Sequence, residues 1–98
     1  ITLPATAQHT PVGEPFTLLF VGNLGYYPNQ DALHYLVQKI LPICRISAGR
    51  DLRVVVVGSG AGRGLLRLMA AEPGIIYRGY VDDLMPIYRA ADATIVPL

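Results

Sequence analysis

Two apolar runs, Leu18-Leu19-Phe20-Val21 and Val54-Val55-Val56-Val57, each break off at a glycine, and a helix-patterned stretch lies between them. Continuous apolar strands of this kind predict a parallel sheet covered on both faces, with loops at the carboxyl ends of its strands. The first strand is expected over Thr17 to Val21. The element after it carries Leu33, Leu36, Val37, Ile40 and Leu41 on one stripe of the 3.6-residue period, with Asn29 as N-cap, Asp31 favouring the helix dipole and Pro42 as stop. Arg53 to Val57 is the second strand, because four successive valines are stiff at χ1 and suit a pleated surface. A second helix is expected at about Gly64 to Glu72, burying Leu65, Leu68 and Met69 and ending at Pro73-Gly74. Ile75 to Tyr77 forms a short third strand. Asp82 or Asp83 then caps a third helix that turns Leu84, Ile87, Tyr88 and Ala91 inward, with Pro86 in its first turn, and Ala93 to Val96 is the fourth strand.

Strands alternating with helices in this rhythm imply parallel pairing through right-handed crossovers. The expected fold is α/β, a Rossmann-like open parallel sheet in the order 3-2-1-4, incomplete at about four strands and three helices. Residues 1–15, with Pro4, Pro11, Gly13 and Pro15 and no periodicity, read as an interdomain linker remnant, and residues 16–98 as the partial sheet domain. In that order the Ala93 to Val96 strand stands at an edge. Such an edge is expected to be covered by another molecule, so self-association through it is expected.

Composition narrows the classes. The chain has 98 residues, 52% hydrophobic and 15% charged, which suits a small domain whose sheet is buried on both faces. A net charge of +1 with scattered arginines leaves no electrostatic footprint for nucleic acid or anionic lipid. Cys44 stands alone, which excludes an internal disulfide and a cysteine-built zinc site. No apolar run approaches the roughly 20 residues of a membrane span, and the opening residues lack the form of a signal peptide. The expected location is the cytoplasm.

Gly58-Ser59-Gly60-Ala61-Gly62-Arg63-Gly64 invites a dinucleotide reading, but the specific motifs fail. In G-x-G-x-x-G the third glycine would fall at Arg63 counted from Gly58, and at Leu65 counted from Gly60. A phosphate-binding loop of the Gly-Lys-Ser/Thr type needs a lysine that is not there, and a nucleophile elbow needs glycine where Val57 stands. What remains is a turn before a helix N-terminus that either contacts an anion or serves only the turn. In Gly22-Asn23-Leu24-Gly25-Tyr26-Tyr27-Pro28-Asn29, either Gly22 backbone and the Asn23 side chain meet a ligand or the tyrosines cover the sheet end. Asp82-Asp83 has no third ligand nearby, so capping is its expected role and no metal site is expected. His9 and His34 read as solvated residues, and no triad can be built from the two histidines and two serines.

Taken in order, Leu-Phe-Val-Gly-Asn-Leu with Tyr-Pro-Asn at 19–29, Ile-Leu-Pro at 40–42 and Val-Val-Gly-Ser-Gly at 56–60 form a recognisable series. It continues with Gly-Tyr-Val-Asp-Asp-Leu at 79–84 and Tyr-Arg-Ala-Ala-Asp-Ala with Val-Pro-Leu at 88–98. The series resembles the C-terminal, donor-binding domain of family 4 retaining glycosyltransferases, enzymes with two Rossmann-like domains in the GT-B arrangement. The resemblance implies transfer of a sugar from a nucleotide-sugar donor to an acceptor, with no bound metal or other cofactor, as in polysaccharide biosynthesis. It implies that Gly22, Asn23, Gly58, Ser59 and Gly60 border the donor phosphates and ribose, and that Tyr80 and Val81 approach the base through their main chain. Many relatives carry an arginine directly after the first-strand glycine and a lysine a few residues on. Asn23 and the Tyr-Pro-Asn segment stand there instead, which leaves backbone amides and Arg63 to meet the diphosphate. The family's spaced glutamates would follow Leu98, so residues 1–98 alone are expected to be catalytically inactive. A longer chain would be cytoplasmic or at the membrane periphery.

Three rivals share this plan: a nicotinamide-dependent dehydrogenase domain, a sugar-nucleotide epimerase and a non-catalytic α/β module. The failed dinucleotide fingerprint counts against the first, and Asn23 and Ser59 stand where a receiver-like module wants acidic residues.

Overall fold

The structure, a computed structural model, describes residues 2–4, 16–43 and 52–95. Five strands form one sheet: β1 (Thr2–Pro4), β2 (Phe16–Val21), β3 (Leu52–Val57), β4 (Ile75–Gly79) and β5 (Ala93–Ile95). Among the described residues three helices connect them: α1 (Tyr27–Tyr35, continuing through a widened turn at Leu36–Ile40), α2 (Arg63–Ala71) and α3 (Met85–Ala90). The spatial order is β1-β5-β2-β3-β4. β2 pairs in parallel with β3 from Phe16 opposite Leu52 to Val21 opposite Val57, and β5 and β4 extend the parallel array on either side. The four parallel strands thus lie in the expected 3-2-1-4 order. From β2 the chain steps outward through β3 to β4, then returns to the other flank of β2 for β5. That return places a topological switch point between β2 and β5, where open α/β sheets form ligand crevices.

Alternation along the strands builds two cores. Leu18, Phe20, Val54 and Val56 face α1 and α2, where Leu33, Leu36, Val37, Leu41, Leu65 and Met69 cover them. Leu19, Val55 and Val57 face the other way, toward Ala91 and the partly buried Leu84 and Ile87 around α3. Helices on both faces are what a sheet with near-continuous apolar strands requires. The short α3 leaves a groove of ≈ 410 Å³ on its face, walled by Leu19, Val55 and Ile87 and flanked by Arg53 and Arg78.

Several expectations are corrected. The β5 strand is not an edge, because Thr2–Pro4 runs antiparallel along it, with Thr2 opposite Ile95 and Pro4 opposite Ala93. Three residues are too few to display alternation, and Pro4 fits an outermost strand because no ladder donor is needed on the solvent side. The chain's own amino-terminal segment therefore occupies Ala93–Ile95, the edge expected to mediate self-association; Val96 and the linker residues 5–15 lie outside the described residues. Pro42 does not stop the first helix, which continues over residues 41–43. Instead the preceding turn widens, with the Leu41 N–H donating to the Leu36 carbonyl five residues back. A proline ring collides with the carbonyl four residues earlier, and a widened turn relieves that clash. Tyr88 is exposed rather than turned inward, since a six-residue helix presents only a narrow buried face. β4 runs two residues beyond Tyr77, through a register shift opposite Val56 and Val57.

Candidate functional site

All four parallel strands release their chain at one rim, and the glycine-ended loops there interlock. The Gly22 N–H donates to the Val57 carbonyl at 3.1 Å, and the Leu24 N–H to the Ser59 carbonyl at 2.8 Å, which ties the β2 loop to the β3 loop. Gly58 has φ +156°, and a Cβ there would sit 1.8 Å from the Gly22 carbonyl oxygen. Gly60 has φ +89°, and its Cβ would lie 2.8 Å from the Gly25 nitrogen and 3.3 Å from Asn23 Oδ1. Two backbones pass this closely only where neither carries a side chain. The structure therefore brings Gly22, Asn23, Gly58, Ser59 and Gly60 into one constellation.

Side chains fix the β2 loop from within and from below. Asn23 Oδ1 accepts the Gly25 N–H at 2.8 Å, closing a tight Asx turn. Asn29 Nδ2 donates to the Asn23 carbonyl at 2.9 Å, and Gln30 Nε2 to the Leu24 carbonyl at 2.8 Å. Asn29 is not the expected N-cap. The helix starts at Tyr27 with Pro28 in its first turn and no side-chain cap, and Asn29 lies inside it, 5% exposed. Its Oδ1 has no partner, the single orphan of its kind among the described residues. Burying an acceptor unpaired costs about 1–3 kcal/mol, so this carboxamide is not placed there for its own stability. Tyr26 and Tyr27 are more than half exposed and do not cover the sheet end.

The third loop joins through Gly79. The Gly58 N–H donates to the Gly79 carbonyl at 2.8 Å, and the Tyr77 hydroxyl donates to the Gly58 carbonyl at 2.9 Å. Gly79 adopts φ +68°, where the strand turns out of the sheet. Tyr80, next along, is 74% exposed, whereas Val81 packs on the apolar cluster under α3. Among the described residues no hydrogen bond joins Tyr80 or Val81 directly to the other two loops. Neither Asp82 nor Asp83 is the expected N-cap of α3: Leu84 holds that position without a side-chain cap, and Asp83 Oδ1, one residue earlier, accepts the Met85 N–H at 3.0 Å.

The rim is built from backbone rather than from charged side chains. The N-cap of α2 is Gly62, with no side-chain cap, and a Cβ at Gly62 or Gly64 would meet nothing within 4 Å. The first turn of α2 thus carries no side-chain cap and follows directly on Ser59 and Gly60 in the chain, with the exposed Arg63 at the helix start. Such an arrangement suits an anion. Among the described residues no group of three or more His, Cys, Asp or Glu side chains is placed to hold a metal. No helix among them is long and apolar enough to cross a membrane. The groove under α3 holds none of the seven candidate residues, so that groove and the rim constellation are separate features.

Reading the sequence alone missed Gly25, Asn29, Gln30, Tyr77 and Gly79. For Asn29 the signal was present: it stands four residues before Leu33 on the apolar stripe, so a polar side chain is directed into the core. For Tyr77 and Gly79 the register shift of β4 decides the placement, and no pattern announces it.

Comparison with known proteins gives a family. The group described as "Glycosyl transferases group 1" matches residues 15–98. A "D-inositol 3-phosphate glycosyltransferase" of Nocardia farcinica (strain IFM 10152) is 36% identical over 96 residues, covering 87% of this chain and 20% of the relative. The chain therefore spans about a fifth of that relative's length. No solved structure matches it. The ordered glycine-ended strands and the match over residues 15–98 agree, and the chain belongs to the group 1 glycosyl transferases.

Proposed function

We propose that this domain holds the nucleoside diphosphate of a nucleotide-sugar donor, within a longer enzyme that transfers the sugar to an acceptor with retention of configuration. The observation that carries the reading is the close approach of Gly58 to the Gly22 carbonyl, because it draws the β2 and β3 loops into one backbone-lined shelf. A shelf of this kind lets amides reach phosphate oxygens without intervening side chains. Gly22, Asn23, Gly58, Ser59 and Gly60 border the phosphates and ribose, the open first turn of α2 faces the diphosphate, and Tyr80 with Val81 lies on the base side. Sugar transfer leaves negative charge on the departing diphosphate, so preorganised donors there lower the barrier. The acceptor and the reacting carboxylates belong to parts of the enzyme outside these residues, and no catalytic residue is assigned here. The reading involves no metal. The enzyme is expected in the cytoplasm or at the membrane periphery.

Titration of the intact protein with UDP, GDP and ADP, followed by calorimetry and by amide spectra, tests this reading. One nucleotide is expected to bind and to shift the amides of Gly22, Ser59 and Gly60. Absence of binding for all three, or shifts confined to the groove under α3, would overturn it. A nicotinamide-dependent dehydrogenase would respond to NAD and to none of the three.

A further inference from the structure

We infer that Asn29 is a positioning residue for the donor shelf, acting through the Asn23 carbonyl. The inference rests on the proposed nucleoside diphosphate reading and adds a residue to it. Asn29 occupies a core-facing turn of α1 where an apolar side chain would pack without an orphaned atom, yet its Oδ1 is buried and unpartnered. Among the described residues its side chain makes one bond, from Nδ2 to the Asn23 carbonyl at 2.9 Å. The same Nδ2 lies 3.0 Å from the point a Gly22 Cβ would take, so the carboxamide sits directly beneath the Gly22-Asn23 backbone. Gln30 repeats the device one residue on, holding the Leu24 carbonyl. With Leu24 in turn tied to Ser59, the height of the β2 loop against the β3 loop is set from α1. Leu24 anchors the loop, fully buried in the core, while Asn23, Gly25 and Tyr26 are exposed, so the two carboxamides add to that anchor at the Asn23 and Leu24 carbonyls. A helix that grips a loop carbonyl fixes where the neighbouring amides point, which is what preorganised phosphate binding needs.

Three substitutions separate positioning from packing. Asn29→Asp keeps the shape; ionised, it has no donor for the Asn23 carbonyl and repels it, whereas the protonated acid restores an O–H donor. Affinity for the nucleotide that the wild type binds is measured from pH 5 to pH 8, each value taken relative to wild type at the same pH. Asn29→Asp is expected to bind about tenfold more weakly at the alkaline end, the size of one lost hydrogen bond, and to recover as pH falls. Asn29→Ala is expected to be weaker by a similar factor at every pH. Val54→Ala, a buried truncation in the same core three residues before the end of β3, makes no hydrogen bond to the loop and is expected to keep the wild-type affinity. A pH-independent ratio for Asn29→Asp, wild-type affinity in Asn29→Ala, or an equal loss in Val54→Ala would each overturn the inference. If Asn29→Asp does not fold, the comparison of Asn29→Ala with Val54→Ala decides. Failure of the wild type to bind any nucleoside diphosphate would instead remove the parent reading. Hydrogen exchange at the Leu24 amide then reads the positioning directly: faster exchange in Asn29→Ala than in Val54→Ala supports it, and equal exchange overturns it.

Discussion

Gly58 and Gly64 stand six residues apart and respond to the same substitution in opposite ways. At Gly58 a methyl group would collide with the Gly22 carbonyl oxygen, and the φ of +156° is itself unfavourable to any L side chain. Gly58→Ala is expected to destabilise the protein by at least about 2 kcal/mol, read as a lower urea midpoint at unchanged slope. At Gly64, in the first turn of α2, nothing lies within reach of a new Cβ. Gly64→Ala is expected to stabilise by a few tenths to about 1 kcal/mol, since alanine loses less backbone freedom in a helix. Sequence spacing shows both glycines but cannot tell them apart. The difference comes from which backbone passes alongside, and that depends on the pairing of β2 with β3. Asn29 was open to a better reading, because its place on the stripe with Leu33 was visible in the sequence. Its preference for helix starts obscured that place, whereas Pro28 had already set the first turn.

Among the elements, α1 shows how a stripe becomes structure. Leu33 is fully buried against Leu18, Phe20 and Val54, while Leu66 on α2 is 40% exposed. Leu33→Ala is expected to cost about 2–5 kcal/mol and Leu66→Ala less than about 1 kcal/mol, both by thermal or urea unfolding. The apolar spacing of α1 was legible because period and burial coincide over three turns. Its end was not, since Pro42 widens the turn before it instead of ending the helix. The four valines of β3 announced a central strand, and they pair on both sides. β1 gave no such signal. A three-residue strand has no period, and its partner lies some 90 positions away in sequence.

For the molecule as a whole, parallel order determines where the loops gather. That order followed from the alternation of elements, so the rim could be anticipated before any coordinate. The covering of β5 could not, because it depends on an antiparallel return from the opposite end of the chain. Deleting residues 1–4 is expected to bare the β5 ladder and raise self-association, measured by sedimentation at rising concentration. An unchanged monomeric profile would show that β1 is dispensable as a cover.

The opposite margin of the sheet is guarded by other means. β4 changes register where Val57 meets Gly79 rather than Arg78, and Arg78 is exposed. A kinked border bearing a cation is a poor template for a docking strand from a neighbouring chain. The same irregularity that frees Gly79 to turn toward the rim thus also discourages fibrillar stacking, so one defect in the ladder serves both solubility and the geometry of the shelf.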